Sequence, residues 1–265
     1  MLTRRTSGEG PAPWVLGALG LLGLAFFVAP LAGLVLRSPV ARLPETLLQP
    51  GVLSALRLSL VISLGALALS LMFGLPLAWM LARGPLAGGR VVRSLVLVPM
   101  VLPPVVGGVA LFAAFGRRGL LGSALETVGL SLPFSTAGAV VAAAFVAMPF
   151  LVISVEAALN SVDRRLEDAA ATMGASRMTI LRTITLPAVA PALGGGAALC
   201  WARALGEFGA TIMFAGNLEG VTQTIPLAVY TRLPVDPDEA LALSLVLLAV
   251  ALFVIVALRG RIRGL

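Results

Sequence analysis

The sequence has no histidine, a single cysteine (Cys200) and a single tyrosine (Tyr230), and all 19 of its cationic side chains are arginine, so lysine is absent as well. Without histidine the chain lacks the commonest metal ligand and the usual acid–base group at neutral pH. That argues against membrane metalloproteases and against haem or di-iron membrane enzymes. One cysteine cannot form an intrachain disulfide. The phosphate-binding pattern Gly-x-x-x-x-Gly-Lys-Ser/Thr needs a lysine, and the sequence has no such stretch, so no nucleotide site of that kind is encoded. No catalytic residue and no metal ligand set presents itself.

Charge is scarce too. Charged residues make up 12% of the chain, about half the share usual in soluble domains, and 59% of residues are hydrophobic. With a mean hydropathy of +1.04, such a chain cannot cover a water-facing surface with polar groups, and a bilayer is the solvent that fits. The net charge of +7 could suggest nucleic acid as a partner. The arginines, however, sit in short clusters between apolar runs, a topological pattern in membrane proteins, and no nucleic-acid role is expected.

A membrane-spanning helix needs about 20 apolar residues. Trp14–Leu36 is long enough, at roughly 34 Å, and carries no charge. It exceeds the apolar core of a signal peptide, typically about 7–15 residues, and is expected to be retained. Further apolar runs cover residues 58–82, 91–115, 137–159, 187–212 and 240–258. The expectation is an all-α polytopic membrane bundle of six spans in a single domain over residues 14–265, preceded by a short segment 1–13. The third run contains Pro99, Pro103, Pro104, Gly107 and Gly108. Such residues are tolerated in a span where packed protein or a cavity satisfies the freed backbone groups. The run is therefore either a pathway lining or a kinked packing helix.

Six spans place both termini on one side. That side would hold 12 arginines against 5 acids, a net +7, and the remainder 7 against 7, a net of zero. Positive charge marks the cytoplasmic side, so both termini are expected there.

The loop between the fourth and fifth spans, residues 160–186, is the most informative segment. Leu166, Ala169, Ala170 and Met173 recur at helical spacing as an apolar stripe, with Arg164, Arg165, Glu167 and Asp168 off it. Gly174 stands where a helix would end, Ser176 can cap a second helix, and Pro187 would open the next span. Such a helix–Gly–helix is either a plain elbow or a docking surface.

The same residues resemble the EAA motif of ATP-binding-cassette (ABC) importer permeases. Asp168, Ala169, Ala170 and Gly174 match its spacing, and Ile184, Leu186 and Pro187 match its tail. The family usually has Glu where Asp168 stands, and Glu167 lies just before it, so which acid takes the family role stays open. The resemblance implies a type I ABC importer permease fold, with the 163–187 loop seated in a cleft of a separate ATPase. It also implies a homodimer, two ATPase subunits that bind ATP and Mg, no cofactor in this subunit, a periplasmic or lipid-anchored binding protein, and a place in the inner (cytoplasmic) membrane.

A second match concerns the substrate. The stretch from Arg203 to Asn217, with Gly209 and Thr211 in its Gly-Ala-Thr-Ile core, resembles permeases for molybdate and sulfate. So does Thr222–Tyr230, and Leu102-Pro-Pro-Val-Val106 recurs in the molybdate branch. The likeness covers nearly all of spans two to six and implies import of molybdate or tungstate, with sulfate or thiosulfate as the alternative.

Arg203 and Glu207 lie four apart on one helical face. Charges in a span are costly unless paired or wetted, so they are either a mutual ion pair or part of an anion pathway or gate, together with Pro103, Pro104, Gly209 and Thr211. An ion-driven secondary transporter would need titratable groups deep in the spans, and Glu156 and Glu207 fall near span ends.

Overall fold

Proline and capping side chains set where each helix begins. The computed structural model describes residues 14–84 and 88–262, with side chains to 253. The segment 1–13, expected on the cytoplasmic side, and the side chains of Arg259, Arg261 and Arg263 lie outside the described residues. Among the described residues there is no strand.

The first helix, α1 (Trp14–Arg37), buries no residue, and α2 (Leu43–Leu48) is a short connector. The long α3 (Pro50–Arg83) begins on a proline, whose missing N–H costs nothing in a first turn. It contains the expected second span and extends two turns beyond it. Those turns are held because Val52 and Ala55 pack against Ile225, Ala228 and Leu243. After α4 (Gly89–Val101), α5 (Pro104–Phe115) and the short α6 (Gly122–Thr127) comes α7 (Thr136–Ser161), capped by Ser135, whose Oγ accepts from the Gly138 amide at 3.0 Å. The loop helices α8 (Arg164–Thr172) and α9 (Arg177–Ile180) lead into α10 (Leu186–Leu205). Then follow α11 (Gly209–Phe214), α12 (Ile225–Arg232) and α13 (Pro237–Ile262). Asp236 opens α13 by accepting from the Glu239 amide at 3.0 Å.

The core is α3, α7 and α10 packed together, built largely from alanines such as Ala66, Ala78, Ala143, Ala147 and Ala204. Lipid is as apolar as a leucine core, so spans associate by close packing and polar contacts rather than by a hydrophobic drive. Small side chains allow that closeness. Serines on one side of α3 add hydrogen bonds: Ser63 Oγ accepts from Trp201 Nε1 at 2.9 Å, and Ser59 Oγ from the Ile225 amide at 2.8 Å. A second cluster, with Phe214 at its centre, joins α5, α7 and α11 through Leu111, Ala142, Val146 and Ala210.

Four described helices are long and apolar enough to cross a bilayer: Trp14–Arg37, Pro50–Arg83, Thr136–Ser161 and the continuous run Arg177–Leu205. Two of the expected spans are redrawn. The 91–115 run is not one helix. The Leu102-Pro103-Pro104 stretch denies two amide donors and forces Leu102 and Pro103 into extended backbone (ψ 136° and 131°), so α4 stops and α5 starts anew. The 187–212 run is displaced. Its helix starts ten residues earlier, at Arg177, and ends at Leu205, with a separate α11 beyond. Pro187 stands in the first turn of α10, as expected, but α10 continues a helical run that begins at Arg177. A widened π-turn over Leu181–Thr185, in which the Leu186 amide donates back to the Leu181 carbonyl, takes up the clash that Pro187 would make with the carbonyl four residues earlier.

Candidate coupling helix and pathway residues

The loop helix α8 is specified locally. Asp163 caps it, its carboxylate accepting from the Arg165 amide at 3.0 Å. At the far end the Ala175 amide donates to the Ala170 carbonyl and the Gly174 amide to the Ala171 carbonyl, both at 3.0 Å. This paired closure requires a left-handed residue, and Gly174 has φ +85°. Ser176 then caps α9, its Oγ accepting from the Thr179 amide at 3.2 Å.

The two faces of α8 differ. Leu166, Ala169 and Met173 are exposed, as is Met178 on α9, and Met173 is 83% exposed. Asp168 is exposed on the same helix. Ala170 is buried, so the expected stripe is divided between the two faces. Glu167 turns inward. Its Oε1 accepts from Arg83 Nη2 at 3.2 Å and from Thr185 Oγ1 at 2.7 Å. Arg83 is the last residue of α3, and Thr185 lies in the π-turn at the base of α10. Arg164 Nη2 donates to the Ala82 carbonyl at 3.4 Å, pinning the same corner. Nearby, Arg93 of α4 forks onto Glu156 of α7, its Nε donating to Oε1 at 2.8 Å. The Glu167 junction thus ties α8 to the end of α3 and the base of α10, and the Arg93–Glu156 pair ties the start of α4 to α7. Ile184 is half-buried in the π-turn, while Leu186 and Pro187 are exposed at the start of α10.

Arg83, Thr185 and Arg93 were not singled out from the sequence, and Glu156 was noted only as an acid near a span end. That acid, at the end of an apolar run, was the available signal for a partner such as Arg93. Arg83 had been counted as a topological charge, and nothing local distinguishes it.

The pathway candidates cluster where two breaks meet. Arg203 Nη1 stands 2.7 Å from Glu207 Oε2, at ion-pair distance but off hydrogen-bond alignment, so that oxygen has no directed donor. Glu207 lies just past the end of α10, with its side chain 1% exposed, and its Oε1 accepts from the Ala210 amide at 2.8 Å, capping α11. The carboxylate thus holds Arg203 and the chain break together. Gly209 meets Pro104 so closely that an added Cβ would sit 2.8 Å from the Pro104 Cβ, which brings the α10–α11 break against the α4–α5 break. Pro103 is the residue that caps α5, and Thr211 is buried within α11.

Beside α11, at the end of the bundle away from α8, a cleft of about 510 Å³ is lined by Phe112, Arg117, Arg118, Ser131, Pro133 and Phe134. Phe134 adopts φ +58°, unusual for a bulky side chain, and is held by its amide donating to the Phe214 carbonyl at 3.3 Å and by an edge-on contact with Phe112.

Comparison with known proteins gives the family. Residues 74–262 match the family described as binding-protein-dependent transport system inner membrane component. The chain is 44% identical to a molybdenum transport system permease protein of Mycobacterium tuberculosis, over 91% of each chain. It is 33% identical to a sulfate transport system permease protein of Salmonella typhimurium, over 91% of this chain and 88% of that one. Among solved structures it superposes on a bacterial ABC transporter involved in alginate import with TM-score 0.73 at 20% identity, covering 95% of this chain and 96% of that one. The chain therefore belongs to the family of binding-protein-dependent transport system inner membrane components and is a multi-pass membrane permease subunit of that kind.

Proposed function

We propose that this permease imports molybdate, or its congener tungstate, as a homodimer driven by two separate ATPase subunits and fed by a binding protein. The observation that carries the ATPase reading is the exposed apolar patch of Leu166, Ala169, Met173 and Met178 on a helix whose other face is anchored. An exposed cluster of apolar side chains outside the spans is a surface for a protein partner. Gly174 supports it: nothing lies within 4 Å of an added Cβ, so its neighbourhood is open to an incoming chain. ATP binding would draw the ATPases together and the two α8 helices with them, switching the bundle from inward-open to outward-open. The work available equals the difference in ATPase affinity for the two states. The termini and α8 would face the cytoplasm, and the Arg117–Arg118 cleft the binding protein. ATP and Mg would sit in the partner.

The substrate reading is supported by 44% identity to the molybdenum permease against 33% to the sulfate permease at the same coverage of this chain. The test is uptake into proteoliposomes holding the permease, its ATPase and its binding protein. ATP-dependent accumulation of radiolabelled molybdate, undiminished by excess sulfate, is expected. Preferential accumulation of sulfate would move the assignment to that anion.

A further inference from the structure

We infer that Glu167 is a positioning residue that transmits movement of α8 into α3 and α10, rather than a contact with the ATPase. The inference rests on the proposed coupling role of α8 and adds to it the route by which that helix moves the spans.

One carboxylate oxygen, Glu167 Oε1, holds both Arg83 Nη2 and Thr185 Oγ1. The three side chains are well covered: Arg83 is 10% exposed, Glu167 20% and Thr185 1%. A charge-assisted junction in such surroundings is only partly screened. Its partners belong to α3 and to the turn that leads into α10, two of the three helices that form the core. Thr185 ends the π-turn, a kind of turn found frequently at functional sites. Beside that turn lies an apolar cavity of about 240 Å³, lined by Pro76, Trp79, Thr185, Leu186 and Val189 among others. Close-packed helices move between discrete arrangements and need room to do so. Here the room adjoins the turn, and prolines stand on both sides of it, Pro76 in α3 and Pro187 in α10. A push on α8 reaches α3 through Arg83 and the turn through Thr185 at once. Asp168, one residue on, is exposed and free to meet the ATPase.

The test uses the complete complex in proteoliposomes with Glu167→Gln, Thr185→Val, and the exchange Arg83→Glu with Glu167→Arg. Each single variant should keep the ATPase bound and hydrolysing ATP, while anion taken up per ATP falls about tenfold, within the range of ordinary coupling energies. The exchange should recover part of that ratio. A second arm needs no substrate: amide exchange in the solubilised permease, where Glu167→Gln should speed exchange in residues 181–186 and 80–84 as well as in α8. An unchanged uptake-to-ATP ratio overturns the inference. So does faster exchange confined to α8, or loss of hydrolysis and uptake in step with loss of bound ATPase. Absence of uptake by the unaltered complex would refute the functional reading, and the exchange arm would still decide the role of Glu167.

Discussion

At the scale of single residues, neighbouring acids do different things. Glu167 and Asp168 are adjacent, yet one is tied to two spans and the other faces solvent. Periodicity placed both off the apolar stripe and could not separate them, because the deciding partner, Arg83, lies 84 residues away. The Arg203–Glu207 pair was legible, since four residues on a helix bring two charges together. That Glu207 also caps α11 was not, because a continuous helix was expected through residue 212. Removing Arg203 leaves an almost fully buried carboxylate without its counter-charge. Arg203→Ala should lower stability by about 3 kcal/mol, the lower end for a broken buried pair because Arg203 is 29% exposed. Thermal unfolding in detergent would measure it. Adding Glu207→Gln should recover part of the loss, and additive losses would contradict the pairing.

Gly174 is required for its backbone alone, with φ +85° and open space around it. Gly174→Val should cost the isolated permease about 1–2 kcal/mol from the left-handed conformation. Uptake by the complex should fall far more than that strain accounts for, because a branched side chain would stand where the partner approaches. Unaltered uptake would defeat the docking assignment.

At the scale of elements, local signals read well and long-range accommodations did not. The ends of α8 and the start of α9 followed from Asp163, Gly174 and Ser176, each a capping residue acting within a few positions. The apolar runs located the helices, because composition alone decides what can lie in lipid. The break at Pro103 and the π-turn before Pro187 were harder. A proline announces a disturbance, but whether the helix stops, bends or widens depends on what packs beside it. Pro103–Pro104 breaks the helix where α11 packs against it, whereas Pro187 is absorbed by a wide turn beside a cavity. Gly209 tests that packing. In Gly209→Val the new side chain meets Pro104, and the loss expected is about 1–3 kcal/mol of overpacking strain, read as a lower thermal midpoint. A midpoint equal to that of the unaltered protein would mean that the two breaks do not bear on each other.

For the whole molecule, the distribution of exposed apolar surface says what surrounds the chain. In α7, 61% of the apolar window is buried, and in α1 none is. The α4–α5 face shows Val101 at 85%, Val105 at 47% and Val109 at 51% exposed, beside the proline break. A second copy covering that face would place two such breaks opposite each other along a shared pathway. Native mass spectrometry of the complex should find two permease copies, and one copy would contradict the proposed dimer.

The central claim is that α8 meets the ATPase with its outer face and holds the spans with its inner one. Site-directed cross-linking separates the two faces most directly. In a Cys200→Ser background, single cysteines would replace Ala169, Met173 or Glu167, and each permease would be assembled with its ATPase and treated with a short thiol cross-linker. Ala169→Cys and Met173→Cys should be captured by the ATPase, and Glu167→Cys should not. Capture through Glu167→Cys, or through none of the three in an assembled complex, would contradict the account.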